Sequence, residues 1–126
     1  MDAGNHRYKE RKIKMEHKAK QIAELLKVLA NEYRLLILCD LIKGPKTVGS
    51  LGEKIQNITQ SALSQHLALL KAHGILDNEK AGQNVTYFII DNRVEEIISL
   101  LKKHYCDDGA DVWWTQKGYS SLRCYM

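Results

Sequence analysis

"TQSALSQHLALLKAHGIL", residues 59–76, sorts its side chains by helical position. At about 100° per residue, Leu63, Leu67 and Leu70 fall in one narrow arc, and Ser61, Ser64, Gln65 and Ala68 lie opposite. A helix face that only meets water normally carries Lys and Glu, which hydrate well and favour helix. This face carries short hydroxyls, an amide and a methyl, side chains suited to a close-fitting surface. Thr59 supplies an N-cap and Gly74 the left-handed residue that ends the helix.

Upstream, "KTVGSLGEKIQNI" (46–58) reads as a short helix entered near Thr47, with Val48, Leu51 and Ile55 inward and a turn across 56–58. Helix, tight turn, amphipathic helix is the helix-turn-helix arrangement. Further back, Asn31 caps a helix over 32–43 that Gly44 and Pro45 stop. Before it, Met15, Ala19, Ile22, Leu26 and Leu29 are spaced 4, 3, 4, 3. This a/d-type seam is too short for a free-standing coiled coil and must pack on its own core, a second subunit or both.

Downstream the period changes. "ILDNEK", the turn signal "AGQN" and the β-branched and aromatic run "VTYFII" predict two short strands around a glycine-containing turn. "DNRVEEIISLLKKHYC" returns to helical spacing, with Asp91 or Asn92 as N-cap and a seam of Val94, Ile98, Leu101 and Tyr105. The expected fold is mainly α with a small β-hairpin wing. It is a winged helix-turn-helix of five helices, a homodimer through its first and last helices. Residues 1–12 read as a flexible N-terminus and 13–106 as the winged-helix DNA-binding and dimerisation domain. The tail 107–126 lacks period and caps and is placed outside the fold, as a disordered extension, a partner-binding segment or a non-native remnant.

Bulk properties fit one soluble domain: 126 residues, 44% hydrophobic and 27% charged. The longest apolar run, Leu35–Cys39, is far too short to span a bilayer. The charged N-terminus lacks the apolar core of a secretory signal, so a cytoplasmic location without membrane contact is expected. The net charge of +4 leans mildly toward polyanions, but much of the excess sits in residues 7–20, outside the best-patterned region. Three cysteines in a reducing compartment argue against a disulfide framework. The chain has no CxxC, HExxH, GxSxG or glycine-rich phosphate loop, so neither enzyme chemistry nor a cofactor is expected.

Three segments in order, "LLKVLANEYRLLIL" (25–38), the opening stretch and the wing "GQNVTYFI" (82–89), carry a resemblance to the arsenic-repressor-like (ArsR/SmtB) winged-helix transcriptional repressors. It covers residues 20–106 and implies a dimeric repressor that leaves double-stranded operator DNA when an inducer acts. On that resemblance the polar helix face enters the major groove, where hydroxyls and amides pair with base edges and phosphates. Thr59, Gln60, Ser61, Ser64, Gln65 and His66 are the candidate DNA contacts on this helix, with Gln65 the base reader because its amide suits adenine. His66 stands beside the leucine arc, where a half-buried structural role outweighs readout. Lys80, Gln83 and Asn84 are the wing candidates, although such wings usually carry more arginine.

Family members differ in what they sense. The type that binds soft metals through cysteines in the first helix of the helix-turn-helix is excluded, because "KTVGSLGEK" contains none. The zinc-sensing type places ligands on the last helix, at positions matching Asp91, Arg93, His104 and Asp107. Arg93 is a permanent cation, so Asp91, His104 and Asp107 form only a weak alternative metal set. The resemblance is closest to the persulfide- and sulfide-responsive thiol repressors, with Cys39 and Cys106 at their two cysteine positions. It implies a disulfide or polysulfide link between these two, driven by a small sulfur or oxidant inducer. Cys39, among leucines, is expected to be half-buried and neutral, which makes Cys106 the first nucleophile. Two readings of other kinds remain: a winged-helix module for protein contacts, whose DNA affinity would hardly respond to salt, and a redox enzyme cycling the two cysteines.

Overall fold

The computed structural model describes residues 2–106, with side chains described for 9–105. The tail 107–126 therefore lies outside the described residues. Two compact units divide the chain at residue 31. The first is a single helix, α1 (Asp2–Leu29), which includes residues 2–12 as well as the heptad-like seam. Ile13, Met15, Ile22 and Leu26 on it are exposed.

The second unit begins with α2 (Glu32–Leu41), followed by β1 (Lys46–Thr47), α3 (Val48–Lys54), α4 (Gln60–Ala72), β2 (Leu76–Ala81), β3 (Asn84–Ile89) and α5 (Asn92–Cys106). The five helices and the wing are those the sequence predicts. α2 ends at Leu41 rather than at residue 43: Lys43 N–H and Gly44 N–H turn back to the carbonyls of Asp40 and Leu41, tightening the exit. Thr47 caps α3 by accepting from Ser50 N–H at 3.1 Å, and Thr59 caps α4 by accepting from Ala62 N–H at 3.0 Å. Gly74, at φ +75°, closes α4 with Ile75 N–H donating to Leu70 O at 3.0 Å.

One strand is additional. The sequence predicts a two-stranded hairpin, and the structure holds an antiparallel sheet of order β1-β3-β2. Pro45 blocks any continuation of helix, so the next two residues run extended and pair with β3, Lys46 opposite Tyr87 and Thr47 opposite Thr86. Two residues carry no pattern from which a strand could be read. The hairpin itself turns tightly through Gly82 and Gln83, with Ala81 opposite Asn84 and Gly82 at φ +63°.

The core of this unit draws on every helix. Ile37 and Leu38 of α2, Leu51 of α3, Leu63, Leu67 and Leu70 of α4, and Val94 and Ile98 of α5 are all buried, together with Ile75 and Leu76. The α5 seam thus divides: its first two residues fill the core, whereas Leu101 and Tyr105 are exposed, as is the neighbouring Leu100.

Candidate nucleic-acid interface and thiol site

Burying the leucine arc fixes the rotation of α4 and turns its other face outward. Gln60, Ser61, Ser64, Gln65 and Ala68 are all exposed, as is the capping Thr59. The result is a shallow polar surface at the N-terminal half of a 13-residue helix. Thr59 takes up the Ala62 N–H, and the positive end of the helix dipole adds favourable potential for a phosphate. Lys80, Gln83 and Asn84 are exposed at the tip of the wing. Behind them Lys71, in the last turn of α4, donates to Asn78 Oδ1 of β2 at 3.0 Å and ties the two elements together.

His66 stands apart from this surface. It is half-buried, its Nδ1 lies 3.2 Å from the Arg34 guanidinium, and its ring centroid is 6.0 Å from that of Tyr33. Guanidinium only donates, so Nδ1 accepts and the ring's own proton sits on Nε2. Burial, and then the Arg34 charge, hold its pKa below the ordinary histidine value. The contact links α4 to α2 through a neutral ring.

Cys39 is more enclosed than the half-buried thiol expected: only 2% of it is exposed. Loss of hydration pushes the thiol up to about 11, against the smaller opposing pull of Lys102 and Lys43 and with a further push from Asp40. α2 packs on α5, and the Lys102 ammonium of α5 is among the charges that favour the Cys39 thiolate. Position 106 follows Lys102 by one helical turn. Cys106 is the last residue of α5; its side chain lies outside those described.

The alternative metal set is not gathered. Asp91 caps α5, accepting from the N–H groups of Arg93 and Val94 at 2.9 and 3.4 Å. Arg93 also takes both carboxylate oxygens, at 3.2 and 3.1 Å, and holds the carboxyl below the usual carboxylate range. His104 is exposed and lies about 20 Å further along the same helix, and Asp107 lies outside the described residues. No group of three or more His, Cys, Asp or Glu side chains among the described residues is placed to hold a metal ion.

Four residues with a place in this machinery escaped the sequence reading. Tyr33, Arg34, Asp40 and Lys54 make polar contacts between α2 and the helix-turn-helix. In sequence, Asp40 merely interrupts an apolar run, Arg34 and Lys54 resemble solvated charges, and Tyr33 has no pattern that marks its hydroxyl as a contact.

A winged helix that presents a polar recognition helix and an exposed wing is a DNA-reading module. Residues 28–105 match the model of the HxlR-like helix-turn-helix family, and the chain belongs to that family. It is 41% identical over 73% of its length to the transcriptional activator HlyU of Vibrio cholerae, covering 84% of that protein. To the biofilm growth-associated repressor of Agrobacterium fabrum it is 35% identical over 73% of its length, covering 78% of that protein. The solved structure of reduced HlyU from Vibrio cholerae superposes with a TM-score of 0.70 at 40% identity, over 75% of this chain and 98% of that one. These relatives are winged-helix regulators of the ArsR/SmtB type, so the chain is a DNA-binding transcriptional regulator and not an enzyme. Among the described residues no helix is long and apolar enough to cross a membrane.

Proposed function

We propose that the chain is a dimeric, cytoplasmic repressor that leaves its operator when Cys39 and Cys106 become linked. What supports this reading is the packing of α2, which carries Cys39, against α5, whose last residue is Cys106. Two relatives support it in part: one bears the name of a repressor, and another has a solved structure designated as the reduced form.

The chemistry follows from the two thiols. Cys39 is kept protonated by burial, so the Cys106 thiolate attacks first. With a persulfide RSSH it takes the outer sulfur and releases RS⁻. The Cys39 thiol then gives up its proton, attacks the Cys106 sulfur and expels hydrosulfide, leaving a disulfide. If both cysteines have taken a sulfur, loss of one molecule of hydrogen sulfide leaves a three-sulfur bridge. With hydrogen peroxide, the two thiols supply two electrons and two protons, and two water molecules leave.

Such a bridge joins α5 to α2 and disturbs the separation of the two recognition helices, which in a dimer meet successive major grooves about 34 Å apart. Exposed Ile13, Met15, Ile22 and Leu26 of α1 and Leu100, Leu101 and Tyr105 of α5 supply apolar surface for the second copy. A coupling of about 1 to 3 kcal/mol is typical of such switches, roughly 5- to 150-fold in operator affinity.

The test combines intact-mass analysis with DNA binding before and after treatment with a persulfide donor. Wild type should gain a sulfur bridge and release the duplex. Cys106→Ser should keep hold of it, with nearly unchanged affinity in reductant. Equal release by both proteins would remove thiol sensing and leave the DNA-binding regulator.

A further inference from the structure

Three side chains of α2 reach across to the reading head and land on different parts of it. Tyr33 donates its hydroxyl to the Asn57 carbonyl at 3.0 Å, inside the turn between α3 and α4. Arg34 donates to Nδ1 of His66 at 3.2 Å, midway along α4. Asp40, one residue beyond Cys39, accepts from Lys54 Nζ at 2.8 Å, and Lys54 is the last residue of α3. The turn that sets the angle between α3 and α4 is therefore held from α2 before it, within it and beyond it. Asn57, at φ +63°, gives that turn a backbone shape with few alternatives.

Asp40 is the unusual member. It is fully buried, and its Oδ2 finds no hydrogen-bond partner among the described residues, whereas Lys54 keeps part of its side chain in solvent. Replacing a buried ion pair by apolar residues of similar volume is often neutral or stabilising, so the Asp40–Lys54 pair is not needed for stability alone. A charged hydrogen bond of fixed geometry does set register, which an apolar contact does only loosely: a leucine at position 40 fills the space yet permits sliding.

We infer that Asp40 and Lys54 are positioning residues that lock the end of α3 to α2, so that a displacement of α2 at Cys39 is carried through the turn to the recognition helix. The inference rests on the thiol reading only for its natural trigger. The lock itself is a property of the α2–α3 contact.

The experiment uses the full chain and a duplex selected for binding from a random library. Asp40→Leu/Lys54→Met replaces the ion pair by an apolar one, and Asp40→Asn keeps an acceptor for Lys54 without the charge. Thermal unfolding monitors the fold. The readout is the ratio of Kd after and before persulfide treatment, with intact mass reporting the bridge. In wild type the ratio should reach about 5- to 150-fold. In the double variant the bridge should still form while the ratio falls below about threefold, and Asp40→Asn should lie between them. A double variant that bridges and releases DNA as wild type does overturns the proposal. If the double variant does not fold, Asp40→Asn carries the same comparison.

A second arm needs no redox chemistry. Cys39→Met, larger by two carbon atoms at a buried site, displaces α2 directly, and its effect on affinity is compared in the wild-type and Asp40→Leu/Lys54→Met backgrounds. Coupled effects support the lock, and additive effects overturn it. A wild type that forms no bridge, or bridges and keeps its DNA, removes the thiol reading, and this arm then decides for or against the lock.

Discussion

Arg34 in α2 and His66 in α4 are joined by a hydrogen bond of 3.2 Å between guanidinium and Nδ1, which keeps a cation beside the ring and keeps the ring neutral. Its pKa is held below 6.5 by burial first and Arg34 second. As pH falls through 6.5 the unfolded chain takes up a proton that the folded protein refuses, so stability present above that value declines on acidification. His66→Gln, whose amide oxygen can still accept from Arg34, should flatten the fall in unfolding midpoint between pH 7 and 5. Arg34→Met should let the His66 titration, followed by NMR, move up toward its ordinary value. An Arg34→Met variant whose His66 titrates where the wild type does would show that Arg34 does not act on the ring in solution.

Gly74 stands at φ +75° with nothing within 4 Å of where a Cβ would be. Substitution there meets backbone strain without a clash. Gly74→Ala should cost about 1 to 2 kcal/mol in denaturant unfolding, and Gly74→Asn less, because asparagine tolerates the left-handed region. An alanine variant as stable as wild type would show that α4 ends in another way.

The helix-turn-helix was legible because each of its signals was local. Leu63, Leu67 and Leu70 fixed which face is inward, Thr47 and Thr59 marked the starts, and Gly74 marked the stop. β1 was not legible, because two residues have no period and their pairing partner lies some forty positions away in β3. The α5 seam was read correctly as apolar. Its division into a buried half and an exposed half depends on where α2 packs, which periodicity does not encode. Asp40 was invisible for the same reason: its burial and its link to Lys54 arise only when α2 and α3 meet. The thiol pair has a different status, since it came from family resemblance and from no local signal.

Gln65 is exposed on the outward face of α4, one turn beyond Ser61, where an amide can make a bidentate contact to adenine. Gln65→Ala should cost about 1 to 3 kcal/mol and relax preference at one base position per half-site. Affinity measured on a panel of single-base substitutions decides. A uniform loss across the panel would place Gln65 on the phosphate backbone.

The exposed apolar residues of α1 and of the second half of α5 should be covered by a second copy. Ile22→Glu combined with Leu101→Glu should shift the sedimentation coefficient from dimer to monomer at micromolar concentration while leaving the helical circular dichroism in place, since both side chains are exposed. Duplex affinity should fall with it, because a monomer engages one half-site only. A variant that stays dimeric would move the interface elsewhere.

Cys39 offers the sharpest check on how α5 lies over α2. Its thiol is pushed from 9.0 up to about 11, so at pH 8 its thiolate fraction is about a hundredfold below that of an unperturbed cysteine. Alkylation by iodoacetamide should be slower than in the unfolded chain by at least that factor, with burial adding to it. Above pH 9 the unfolded chain loses a proton that the folded one retains, so stability should decline as pH rises through 9 toward 11. Lys102 opposes the shift, so Lys102→Gln should slow alkylation further and move its pH profile upward. A rate indifferent to Lys102 would mean that its ammonium does not act on the Cys39 sulfur in solution.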